Sequence, residues 1–367
     1  MIKSEVLLKF FLKQKISFFT GVPDSVLKNF TEVLSGNKKI SHLIGVNEGS
    51  CISIAAGYYL KSKKLGVVYM QNSGLGNAVN PLISILDKNV YSIPLIMIIG
   101  WRGAPDTKDE PQHRAQGKIT KKLLNLMNIK YCEVNDQKDF HKIKSLIQFS
   151  KKNKIPSAIL IKRNSIFKIK KKIQVNKNKH KISREVFLKN LLKILNFRDK
   201  IVSTTGYTSR ELNHLRKKEN LLKGKDFYMV GGMGHAASLS LGFSLKNKDR
   251  VLCIDGDGSL LMHMGSLLTV VNNSKKNFKY ILLNNNCHES VGGQRTYSEE
   301  IDFKKFSQSV GFEKYLIIRN IQALKKNLKK YINFKKKVFI EVKIAQEVIK
   351  NLGRPEKLKK IKKEFMN

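Results

Sequence analysis

Hydrophobic positions along this chain fall into short runs separated by longer stretches with helical spacing. In the first half, apolar runs at 16–19, 42–46, 66–71, 95–100, 129–134 and 158–162 are rich in Val, Ile, Leu and Phe and read as strands. Between them, 25–34, 49–60 and 139–149 repeat apolar residues at the spacing of one helix face. The chain also opens on an amphipathic helical pattern. Residues 168–181 are dominated by Lys, Asn and Ile with little periodicity and read as a linker or surface crossover. The alternation then restarts, with strand patterns at 201–204, 251–255, 280–283, 315–318 and 338–342. Helical patterns fill 184–195, 234–245, 259–272 and 321–332. Such alternation predicts α/β architecture, with two mostly parallel sheets covered by helices on both faces. The boundaries this suggests are a domain at 1–167, a linker at 168–183, a second domain at 184–353 and a basic, helical, peripheral tail at 354–367. Open parallel sheets bind ligands beyond the carboxyl ends of their strands, so chemistry is sought there.

Composition changes this picture little. A chain of 367 residues with 41 % hydrophobic content fits an ordinary two-domain globular protein. The formal charge of +42 is extreme and, taken alone, suggests nucleic acid or an anionic surface. However, 59 of the 70 basic residues are Lys and only 11 are Arg. Nucleic-acid readers lean on Arg for bidentate contacts, and no nucleic-acid-binding motif is present. The charge therefore reads as solvated surface, with a field that attracts anionic substrates. The four Cys form no CxxC pair, which suits a reduced, cytoplasmic chain. The first residues show no leader pattern, and no apolar run approaches a membrane span.

The strongest chemical pattern lies in the second half. The strand ending at Asp255 runs into Gly256-Asp257-Gly258-Ser259, and the next strand ends in Asn284-Asn285-Asn286. One helix and one strand fill the gap, so both ends return to the same sheet edge. Glycines let the backbone approach a phosphate, and the helix start after Gly258 offers N–H groups to it. A diphosphate also needs a hard cation. Mg²⁺ takes few protein ligands, all oxygen: here a carboxylate, an amide oxygen and a carbonyl. Nearby, Gly232-Met233-Gly234-His235-Ala236-Ala237 mimics a dinucleotide-binding fingerprint, with Asp255 as the later acid. That reading leaves the Gly256–Asn285 pattern unexplained.

The spacing of Gly-Asp-Gly and Asn-Asn resembles the cofactor motif of the thiamine-diphosphate enzyme superfamily. The resemblance implies that Asp257, Asn285 and the main-chain carbonyl of Cys287 hold Mg²⁺, with Asn284 as the alternative to Asn285. It implies that Gly232, Met233 and Gly234 support the bent cofactor. It also implies that Gly206 and Thr208, after the strand at 201–204, add a second diphosphate contact. In the first half, a strand ends in Asn47-Glu48-Gly49 before a small-residue helix. This resembles the segment carrying the glutamate that activates the aminopyrimidine; alone, Glu48 would be an acidic first-turn residue.

A closer resemblance, over about residues 1 to 345, is to the phosphonopyruvate decarboxylase family, and less closely to sulfopyruvate decarboxylases. It is carried by residues 20–25, 71–81, 109–114, 204–212 and 288–294. Like them, the chain has no room for a middle domain. The implied reaction converts 3-phosphonopyruvate to phosphonoacetaldehyde and CO₂, in phosphonate biosynthesis. The implied assembly is a homodimer or tetramer with active sites between subunits. Alternatives are a sulfopyruvate decarboxylase or another 2-oxo acid decarboxylase or carboligase. Asp24 is the candidate proton relay, or else a helix N-cap. His113 sits in what reads as a long lid loop at 102–118, and His288 follows the metal turn; both are candidate acids. Arg102, Arg114 and Arg295 are the candidate cations for the phosphonate, with Asp24 and His113 beside the substrate.

Overall fold

Runs of Val, Ile, Leu and Phe that offer no polar face can persist as strands only when both sides are covered. That is what the computed structural model of this chain shows. It describes residues 1–105, 107–167 and 178–367, and they form two all-parallel six-stranded sheets. Two compact units result, Met1–Val175 with Val291–Gln294, and Asn176–Ser290 with Arg295–Asn367.

In the first unit the strands are β1 (Phe18–Gly21), β2 (Ser41–Ile44), β3 (Gly66–Gln71), β4 (Ile96–Trp101), β5 (Lys130–Glu133) and β6 (Ser157–Lys162). The helices are α1 (Ser4–Lys13), α2 (Lys28–Leu34), α3 (Glu48–Ser62), α4 (Leu75–Ser84), α5 (Pro111–Leu126) and α6 (Phe140–Asn153). The sheet order is β2-β1-β3-β4-β6-β5. The central strands are buried on both faces, and a core including Phe11, Phe19, Phe30, Ile98 and Ile161 lies under α1, α2 and α6.

The second unit repeats this plan. Its strands are β7 (Lys200–Ser203), β8 (Lys225–Tyr228), β9 (Val251–Gly256), β10 (Phe278–Asn284), β11 (Lys314–Ile318) and β12 (Val338–Lys343). Its helices are α7 (Arg184–Lys193), α8 (Tyr207–Lys218), α9 (Ala236–Lys246), α10 (Asp257–Met262), α11 (Ser266–Asn273), α12 (Phe303–Ser309), α13 (Ile321–Asn333) and α14 (Leu358–Met366). The order is β11-β12-β10-β9-β7-β8. Counted from each unit's first strand, the two orders are the same. In each, the first and third strands are neighbours while their connections leave in opposite directions. That is a topological switch point, where a crevice opens at the strand ends. In the second unit it lies between β7 and β9.

Several elements differ from the sequence pattern. The expected loop at 102–118 is shorter, because α5 starts at Pro111 and places His113 in its first turn. Proline at the first helical position is pre-organised for a helix, and the charges around it disguise that start. The expected helix at 259–272 is two helices, α10 and α11, broken at His263–Gly265. Strand β8 has no strong apolar signal because it is a half-exposed edge strand. The tail is docked rather than peripheral: Phe365 of α14 is buried against Phe227 and Phe243, and its carbonyl accepts from Lys200 Nζ. Most of the expected linker, 168–177, lies outside the described residues. Among those described, no helix is long and apolar enough to cross a membrane.

Candidate active site

The loops after β7, β9 and β10 converge at the second unit's switch point and line a cavity of about 100 Å³. Thr204, Thr208, Met233, Gly256, Asp257, Gly258, Ser259, Asn285, Cys287 and His288 all face it. Gly206 (φ +88°) caps α8 beside it, and Gly232 (φ +67°) and Gly234 (φ +88°) turn the chain before α9. The backbone is knitted there by hydroxyls. Ser259 Oγ accepts from Thr204 Oγ1 at 2.9 Å and from the Gly234 amide at 3.0 Å.

Asp257 is buried, and its Oδ2 accepts from Thr296 Oγ1 at 2.5 Å and Ser298 Oγ at 3.0 Å. Desolvation nevertheless pushes its carboxyl up to about 6, because those hydroxyls carry no positive charge. The two asparagines have different roles. Asn284 is fully buried and spent on structure: Nδ2 donates to Glu341 at 3.0 Å, and Oδ1 accepts from Ser298 at 2.9 Å. Asn285 faces the cavity; its Oδ1 accepts the Cys287 amide at 3.2 Å and its Nδ2 donates to Glu289 at 3.1 Å. Gly258 is needed for space, since a Cβ there would lie 2.7 Å from the His288 ring. Burial holds that imidazole down at about 4, so His288 is neutral at pH 7.

A divalent ion with a diphosphate fits this donor set. The cavity offers a buried carboxylate lacking a counter-charge, a carboxamide oxygen, a main-chain turn, and glycines where side chains would fill the space.

In the first unit, Asn47 caps α3 by accepting from the Gly49 and Ser50 amides, which puts Glu48 in the first turn. Glu48 is 6 % exposed, and its carboxyl is packed so closely on Gly74 that a Cβ there would lie 2.4 Å from Oε1. Burial raises its pKa, against the opposing Asn77 Nδ2, which donates to Oε2 at 2.8 Å. Asp24 does cap the turn into α2, its Oδ2 accepting from the Val26 and Leu27 amides at 2.9 and 3.1 Å. Yet its Oδ1 is buried without a partner, and desolvation lifts the carboxyl to about 6. Gly100 makes way for it.

The candidate cations are already engaged. Arg102 is buried and donates to Asp109 through Nε at 2.7 Å and Nη2 at 2.5 Å, and to Ser25 at 3.1 Å. Arg295 is exposed and pairs with Glu299 and Glu300. Exposed Arg114 donates to the Asp109 carbonyl. His113 is half-buried, its carbonyl against the Gly103 turn.

The sequence reading missed Arg184, Tyr207 and Glu289, which also line the cavity, and Asn77 beside Glu48. Asn77 had a usable signal, a polar amide just past a strand end, in the stretch Asn72-Ser-Gly-Leu-Gly-Asn77. Arg184 had none, since it reads as the start of an ordinary surface helix.

Comparison with known proteins accords with this geometry. The family described as thiamine pyrophosphate enzyme, N-terminal TPP binding domain, matches residues 1–124, and its C-terminal TPP binding domain matches 204–342. A phosphonopyruvate decarboxylase of Streptomyces viridochromogenes is 32 % identical over 93 % of this chain and 88 % of its own length. Another, from Streptomyces hygroscopicus, is 33 % identical over 81 % of this chain and 76 % of its own. A sulfopyruvate decarboxylase of Methanosarcina acetivorans is 26 % identical, covering 89 % and 87 %. With two nucleotide-type sheets, a donor-lined switch point and relatives matched nearly end to end, this chain belongs to the thiamine pyrophosphate enzymes, in the family of phosphonopyruvate decarboxylases and their relatives, and is a carboxy-lyase.

Proposed function

We propose that the chain decarboxylates 3-phosphonopyruvate to phosphonoacetaldehyde and CO₂, with thiamine diphosphate and Mg²⁺, as a step in phosphonate biosynthesis. The observation that carries this reading is the convergence of Asp257, Asn285, Cys287 and His288 on one cavity, in a chain whose near-full-length relatives bear that activity.

When bound, thiamine diphosphate supplies a nucleophilic carbon and a sink for the electrons left by departing CO₂. The rest falls to the protein. Asp257, Asn285 and the Cys287 carbonyl hold the metal, while Gly206, Thr208, Gly256, Gly258 and Ser259 hold the diphosphate. Asn285 is preferred over Asn284, whose amide is committed to Glu341 and Ser298. Met233 and its flanking Gly232 and Gly234 support the middle of the cofactor. Glu48, desolvated against Gly74, would hold a proton on its carboxyl for the aminopyrimidine ring. Asp24 Oδ1 is free to relay a proton, and His288 acts as a neutral imidazole. For the phosphonate, Arg102 is the buried candidate, trading Asp109 for a dianion. His113 and Arg295 complete the substrate set.

The cavity is far smaller than the roughly 300–1,000 Å³ pockets that bury a drug-sized ligand. It accommodates the metal–diphosphate end only. That favours an active site completed by the first unit of a second subunit, and so a homodimer or tetramer. A larger cavity of about 420 Å³, between α8, β8 and α14, has walls of mixed charge and shares no residue with the one at the strand ends.

Sulfopyruvate is the second candidate substrate, favoured by the Methanosarcina relative. Rates of CO₂ release from phosphonopyruvate, sulfopyruvate and pyruvate, with the aldehyde identified, test the reading. It predicts the highest kcat/KM for phosphonopyruvate. Preference for sulfopyruvate, or carboligation as the main outcome, would overturn the substrate assignment.

A further inference from the structure

Arg184 is the first residue of α7, where a helix favours anions over cations. It is also buried, with Glu211 and Glu289 as counter-ions: Nη1 donates to Glu211 at 2.9 Å and Nη2 to Glu289 at 2.6 Å. Burying such a cluster gains little or nothing over apolar side chains of the same volume. Nor is this one fully satisfied, because Arg184 Nε is buried without a partner. Stability alone therefore gives no reason for it.

The cluster does have an outlet. The same Glu289 oxygen that accepts from Arg184 also accepts from Asn285 Nδ2 at 3.1 Å. With its amino group committed there, the Asn285 carboxamide presents its oxygen the other way, where Oδ1 accepts the Cys287 amide at 3.2 Å. The chain of contacts runs Glu211, Arg184, Glu289, Asn285, Cys287, and the last four line the cavity. We propose that Glu289, held by Arg184 and Glu211, is a positioning residue for the metal site: it decides which end of the Asn285 carboxamide faces the cation and, through the Cys287 amide, fixes the main chain carrying the third ligand. The inference rests on the reading of Asp257, Asn285 and Cys287 as metal ligands. Without Glu289 the carboxamide is free to turn its NH₂ toward the cation, and loss of such an outer partner typically weakens metal affinity 10–100-fold.

The test uses Mn²⁺ as the probe, titrated with the full chain in the presence of thiamine diphosphate and followed by the electron paramagnetic resonance of free Mn²⁺. Glu289→Ala is expected to weaken Mn²⁺ binding by about 10–100-fold. Glu289→Gln keeps an acceptor oxygen for Asn285 Nδ2 and is expected to recover most of that loss. Unchanged affinity in Glu289→Ala, or equal losses in the Ala and Gln variants, overturns the positioning role while leaving the metal site intact. If wild type takes up no Mn²⁺, or Asp257→Asn binds it as wild type does, the ligand assignment itself fails and the inference falls with it.

Discussion

Gly74→Ala tests the placement of the candidate activating carboxylate. Gly74 has φ −70° and ψ −14°, ordinary right-handed values that alanine adopts without strain. The backbone therefore bears the substitution, and its cost lies in packing, where overfilling a buried site typically takes about 1–3 kcal/mol. The new Cβ would stand 2.4 Å from Glu48 Oε1, 2.5 Å from Cγ and 2.6 Å from Cδ, where ordinary contact begins at 3.4 Å. The whole buried Glu48 side chain from Cγ outward has to shift, which displaces the carboxyl by about 1 Å and strains its 2.8 Å bond from Asn77. A misplacement of about 1 Å can cost about 10²-fold in rate, equivalent to about 2.7 kcal/mol of barrier. Steady-state CO₂ release with saturating thiamine diphosphate and Mg²⁺, beside a thermal melt, reads both effects. Gly76→Ala is the control, since nothing lies within 4 Å of a Cβ there. The expected result is a kcat about 100-fold lower for Gly74→Ala alone, with a melting temperature that falls by no more than the packing cost and leaves the chain folded in the assay. Full turnover in Gly74→Ala, or equal losses in both variants, would refute the role given to Glu48.

Asp24 carries a pH signature. Its folded-state carboxyl sits at about 6 against an ordinary 3.8, so the fold prefers it protonated. The stability it contributes is complete below pH 3.8 and is lost as pH rises through 6. Denaturant titrations should therefore show wild type losing about 2 kcal/mol relative to Asp24→Asn between pH 4 and pH 7; parallel pH profiles would contradict this. At Asn77, substitution by Ala removes a donor that lowers the Glu48 pKa, so Glu48 should titrate at higher pH than in wild type. Infrared carboxyl bands, assigned against Glu48→Gln, measure that shift, and an unmoved band would show that Asn77 does not tune Glu48.

The candidate site residues were largely legible in the linear chain, because the strand-end turns that bring them together are contiguous. Asp257 and Asn285 are two short helices and a strand apart, and the parallel sheet returns both to one edge. The strands announced themselves as well, since fully buried parallel strands must be apolar throughout. Edge strand β8 did not, because half of it faces water. The start of α5 at Pro111 was hidden by surrounding charges, which turned a helix first turn into an apparent lid.

What the linear chain alone determined was the class of chemistry, because turn glycines, a carboxylate and an amide at strand ends are local features. What tertiary structure decided was which atoms are available. Only packing shows that Asn284 is spent on Glu341 and Ser298 while Asn285 faces the cavity. Only packing commits Arg102 to Asp109 and leaves Asp24 with one orphaned oxygen. And only the meeting of α7 with the turn after β10 reveals Arg184 and Glu289, 105 positions apart, behind the proposed metal site. Hydrogen-bond commitment and desolvation are set by neighbours in space, and residue order does not encode them until the sheet closes.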